Sequence, residues 1–78
     1  MKYIPLGEST LGQGLRIQSV PASVRTFFLR LGIGEGEVIQ CFERLPGGTV
    51  VIQKNRQQIA IGHTLARQIM VTVVEEVN

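Results

Sequence analysis

Apolar and polar positions change period along the chain, and each change marks an element. Leu15-Arg16-Ile17-Gln18-Ser19-Val20 alternates as far as Ser19, predicting a half-buried strand with Leu15, Ile17 and Ser19 on one face. Pro21 stops it and can open a helix. Over residues 22–31 the period lengthens. Val24, Phe27, Phe28 and Leu31 stand at i, i+3, i+4 and i+7, one apolar helical stripe. Ser23 is placed to cap this helix and Gly32 to end it, while Arg30 in the last turn suits the helix dipole. Leu29 lies off the stripe. It reads either as an exposed apolar contact or as part of a broader core.

Gly32-Ile33-Gly34-Glu35-Gly36 reads as a turn with one apolar anchor. Residues 37–45 are rich in strand formers, but their alternation is imperfect, which predicts strong curvature or a bulge. Pro46-Gly47-Gly48 turns the chain into a third strand, residues 49–54. Asn55-Arg56-Gln57 reverses it, Asn55 tolerating the left-handed backbone that hairpins require. Residues 58–62 form a short fourth strand. Residues 63–68 suit a single helical turn capped by His63 or Thr64, residues 70–75 a fifth strand, and the end of the chain frays. Five short strands, a helix after the first and a helical turn before the last predict a mainly β fold, a small SH3-like barrel whose closure removes exposed edges. A five-stranded OB barrel competes, but it more often carries its helix between the third and fourth strands.

Composition narrows the function. The 78 residues make one domain, 1–78, with 44% hydrophobic residues and no apolar run near the ~20 needed to span a bilayer. Direct membrane insertion is therefore not expected. The first residues lack a signal-peptide pattern, so a cytoplasmic location is expected. A single cysteine excludes an internal disulfide, and Cys41 with His63 is too small a set for a structural zinc. The net charge of +2 comes without a dense basic stripe, so no nucleic-acid partner is expected. A domain this small buries a modest core, which leaves room for weak self-association.

The residues that could carry chemistry are few. Cys41 sits in an apolar strand and reads as a buried small hydrophobe rather than a nucleophile. His63 reads as a capping or exposed polar residue, with a metal ligand or base as its alternative. The glycine-rich turn follows a helix and opens a strand, the reverse of phosphate-binding loops. Phe27 and Phe28 read as core rather than as a stacking platform for bases. No catalytic set emerges, so no enzymatic activity and no cofactor are expected, and nothing in the residues supports Fe2+ or Zn2+ binding. The candidate contact residues are Arg25, Leu29 and Arg30 on the helix and Lys54 and Arg56 at the hairpin tip. The tip reads either as solvated charge or as a basic contact for an acidic partner or RNA.

Phe28-Leu29-Arg30-Leu31-Gly32-Ile33-Gly34-Glu35-Gly36-Glu37-Val38-Ile39 resembles the leucine–glycine–apolar, two residues, glycine, apolar signature of the FeoA family, ferrous iron transport protein A. The similarity continues through Pro46-Gly47-Gly48, Val50-Val51-Ile52, Ile59-Ala60-Ile61, Ala66, Ile69 and Val71, and covers roughly residues 6–74. Leu6-Gly7-Glu8 and Gly14-Leu15-Arg16-Ile17 match its opening strand. The resemblance implies an SH3-like barrel and a small cytoplasmic accessory of bacterial ferrous iron uptake, partnered with the FeoB membrane GTPase permease. The same domain ends metal-dependent repressors. With no DNA-binding helices ahead of it, a stand-alone uptake protein is the better match. The motif residues Leu31, Gly32, Gly36 and Ala66 read as structural. The leading expectation is a protein-interaction module. A small RNA-binding barrel and a metal sensor using His63, Cys41 and acidic residues stand as alternatives.

Overall fold

The structure, a computed structural model, describes residues 2–74. Its strands are β1 (Ile4–Pro5), β2 (Gly14–Ser19), β3 (Val38–Arg44), β4 (Val50–Lys54), β5 (Gln57–Ile61) and β6 (Met70–Val74). Helix α1 (Arg25–Arg30) follows β2, and a single helical turn, α2 (His63–Ala66), precedes β6. The expected end of the last strand at Glu75 and the frayed residues 76–78 lie outside the described residues.

All strand pairs are antiparallel, in the order β1-β6-β2-β3-β4-β5. The expected five-stranded closed barrel is corrected on both counts: there are six strands, and the sheet is not closed by a β1–β5 pairing among the described residues. The extra strand is β1, which pairs Ile4 with Val71 and Pro5 with Met70. Two residues ending in proline carry no period, so local pattern could not mark it. The chain then enters a 3₁₀ turn, Leu6–Glu8, with the Leu6 amide donating to the Ile69 carbonyl at 2.8 Å.

Alternation builds the core. Leu15 and Ile17 of β2, Ile39 and Cys41 of β3, and Val50 and Ile52 of β4 point inward and are buried. A bulge in the β2–β6 ladder between Ile17 and Ser19 breaks the period, so Ser19 faces solvent and Val20 enters the core instead. A second bulge, between Cys41 and Glu43, explains the imperfect pattern of β3 and leaves Phe42 exposed. Asn55 has φ 57°, the left-handed conformation of the two-residue tip between β4 and β5.

α1 joins the core through one side chain. Only Phe28 of its apolar residues is fully buried; Val24 and Leu31 are half-buried and Phe27 is exposed. The expected four-residue stripe is thus corrected. Residues 22–24 form a 3₁₀ turn rather than α-helix, and the six-residue helix turns a single ring fully into the core. Ser23 makes no capping hydrogen bond; the Val24 amide is satisfied by the Pro21 carbonyl at 3.1 Å. At the other end Gly32, φ 75°, closes a Schellman motif. Its amide donates to Leu29 at 3.0 Å and the Ile33 amide to Phe28 at 3.0 Å, with Ile33 buried as the apolar anchor. Neither His63 nor Thr64 caps α2 through its side chain. Gly62 is the extended residue before it, and its carbonyl accepts from Ala66 at 2.9 Å.

Candidate protein-interaction surface

The carbonyls of Leu31 and Gly32, just past the end of α1, are taken by two side chains of the β4–β5 hairpin. Lys54 Nζ donates to the Gly32 carbonyl at 2.6 Å and also pairs with Glu37, while Gln57 Nε2 donates to the Leu31 carbonyl at 3.0 Å. An ammonium at a helix C-terminus is favoured by the dipole. These bonds dock the hairpin tip against the helix exit, and a shallow depression of about 460 Å³ lies between them, lined by Leu31, Gly32, Lys54, Asn55, Arg56 and Gln57. The helix exit and the hairpin tip therefore lie side by side.

The five candidate contact residues divide in their surroundings. Arg25 is engaged internally. Its Nη2 lies 3.5 Å from the Val20 carbonyl and its Nε 4.0 Å from Glu35, whose carboxylate accepts the Val20 amide at 3.3 Å. Lys54 is held by Gly32 and Glu37 as described, so it is not a loose cation at the tip. Arg30 and Arg56 are exposed and make no ion pair or side-chain hydrogen bond among the described residues. Leu29 is 62% exposed, although its Cδ2 would lie 2.8 Å from a Cβ built at Gly34. The absent side chain at Gly34 is what lets Leu29 lie over the turn.

Phe27 belongs to this surface although its spacing assigned it to the core. It is 59% exposed, with its ring centroid 6.3 Å from that of Phe28 and tilted by 56°. At about 100° per residue, Phe27 and Leu29 flank the outward line of Thr26 and Arg30 on the side opposite Phe28. The surface is thus an apolar pair around an arginine, and a second arginine, Arg56, lines the depression at the helix exit.

The remaining motif residues serve the scaffold. Gly36 has φ 91°, its amide donates to Ile17 at 2.7 Å, and its carbonyl accepts from Arg16 at 2.9 Å. Ala66 is buried with its Cβ 3.8 Å from where a side chain on Gly7 would begin, so α2 lies close to the first 3₁₀ turn. Cys41 is fully buried inside the sheet. His63 is exposed and lies against Gly48, where a Cβ would meet its Cδ2 at 2.5 Å. Among the described residues no group of three or more histidine, cysteine or acidic side chains is placed to hold a metal ion. No helix there is long and apolar enough to cross a membrane.

Comparison with known proteins gives a consistent answer. The family model described as the FeoA domain matches residues 4–73. A solved iron uptake regulatory protein (FeoA) superposes with a TM-score of 0.79 at 27% identity, over 95% of this chain and all of that one. A FeoA-like protein from Clostridium acetobutylicum superposes with a TM-score of 0.77 at 21% identity, over 100% of this chain and 94% of that one. At that identity the likeness is one of fold. The metal-dependent transcriptional regulator MtsR shares the fold with a TM-score of 0.78 at 14% identity, over 91% of this chain but 36% of the regulator. No curated protein matches the chain significantly.

Proposed function

We propose that this chain, which belongs to the FeoA domain family, is a cytoplasmic accessory of ferrous iron uptake that acts by binding the cytosolic GTPase part of a FeoB-type membrane permease. The family and the description of a solved relative as an iron uptake regulatory protein support the setting. The observation that carries the binding role is the pair of exposed apolar side chains, Phe27 and Leu29, flanking Arg30 on a six-residue helix. Exposed aromatic area beside an arginine is a composition enriched at protein interfaces. Burial of Phe27 and Leu29 against an apolar patch supplies affinity, and Arg30 and Arg56 meet carboxylates on the partner. The protein performs no chemistry of its own on this reading.

The test is a titration of the ¹⁵N-labelled chain with the soluble GTPase domain, once with GDP and once with a GTP analogue. Shifts concentrated on residues 26–32 and 54–57 are expected. Shifts absent in both nucleotide states, or confined to the opposite end of the sheet, contradict the proposal.

A further inference from the structure

The open sheet has two edges, and they are built differently. The β1 edge is two residues long, ends in Pro5 and runs at once into a 3₁₀ turn. Short length and proline are standard protections of an edge strand. β5 has neither. Gln57-Gln58-Ile59-Ala60-Ile61 is five residues with no charge and no proline, and it pairs with β4 in unbroken register. Its outward side chains, Gln58 and Ala60, are exposed.

The register says which backbone groups are free. The two-residue tip makes Lys54–Gln57 the closing hydrogen-bonded pair, so Ile52–Ile59 and Val50–Ile61 are the next hydrogen-bonded rungs. Gln58 and Ala60 lie at the positions between, with amide and carbonyl directed away from β4, and no backbone bond beyond the ladder reaches them among the described residues.

We infer that β5 pairs antiparallel with β5 of a second copy of this chain about a two-fold axis through Ile59. That register is self-complementary. Gln58 stands opposite Ala60 of the other copy and Ala60 opposite its Gln58, so all the free groups of both residues are used in two doubly bonded rungs. Ile59, half-buried on the core side, meets its own copy across the axis. No like charges oppose one another, because Arg56 falls opposite Gly62, the residue that offers it no side chain. Five residues a side cover far less than the ~1,200–2,000 Å² of a stable interface. The dimer is therefore weak and depends on concentration.

The full chain, without any partner, tests this. Sedimentation and amide exchange are measured from tens of micromolar to millimolar concentration. The mass is expected to rise from 8.6 kDa toward twice that value, with the Gln58 and Ala60 amides gaining protection while those of Ile59 and Ile61, already bonded to β4, do not change. Two variants read the register. Gln58→Lys with Ala60→Lys sets lysine against lysine on both rungs and abolishes association. Gln58→Glu with Ala60→Lys sets opposite charges there and tightens it by roughly two- to tenfold. Both sites are exposed, so both variants fold. A chain that stays monomeric at millimolar concentration overturns the inference. So does association that leaves the Gln58 and Ala60 amides unprotected, or one that the two charge variants affect alike.

Discussion

Phe28 is 1% exposed and Phe27, the residue before it on α1, is 59% exposed. The two share a side chain, a helix and a helical propensity, and differ only in the direction the helix gives them. On Phe28's side the helix meets the sheet, and a ring displaces water from the core. On the other side Phe27 and Leu29 stand in solvent beside Arg30. A chain of this size has few large apolar side chains with which to build a core. Two left outside on six residues of helix contribute little to folding, and the proposed binding role is the use that the outer side would have.

Substitutions can break this contrast at its strongest point first. Phe28→Ala empties the largest fully buried side chain and is expected to cost about 3–5 kcal/mol, read by urea unfolding. For a domain this small that is most of the stability. Phe27→Ala is expected to shift the same curve by less than about 0.5 kcal/mol, as exposed sites do. Equal losses from the two would remove the distinction. Next comes the helix exit. Gly32→Ala forces an L-residue to φ 75° within the Schellman motif and is expected to cost about 1–2 kcal/mol. Smaller still is Lys54→Met, which removes the cation on the Gly32 carbonyl and its partly exposed pair with Glu37. A loss of about 1 kcal/mol is expected, much of it from the bond to the Gly32 carbonyl at the helix exit, with the remainder falling as salt rises. Arg30→Glu with Arg56→Glu sharpens the comparison from the outer side. Stability is expected to stay within about 0.5 kcal/mol of the wild type while binding to the GTPase domain weakens.

What could be read from the residues follows the range of the interaction involved. The strand alternation of Leu15 and Ile17, the bulge hinted at by residues 37–45, the left-handed Asn55 and the helix stop at Gly32 are local, and local pattern carries them. The strand that the pattern did not mark, β1 at Ile4–Pro5, is held by Val71 and Met70 far along the chain, and two residues have no period of their own. The spacing of Phe27 places it in the core because it fits a longer helix. The 3₁₀ turn at Ala22–Val24 shortens α1, and the sheet takes one ring fully inside. Lys54 read as a free tip cation because its partner, the Gly32 carbonyl, is a backbone group 22 residues away. Leu29 lies off the stripe in the residue spacing, and the structure leaves it exposed. Whether an apolar residue helps to fold the chain or to meet a partner is decided by packing that no short window contains.

The outer side of α1 is the proposed binding face. The direct measurement is the affinity of the soluble GTPase domain for wild type and for Phe27→Ser with Leu29→Ser, with urea unfolding followed on both chains. A loss of about tenfold or more in affinity at unchanged stability is predicted, as removal of interface anchors produces. Equal affinity for the two chains would contradict the account and leave Phe27 and Leu29 as exposed apolar side chains without a role.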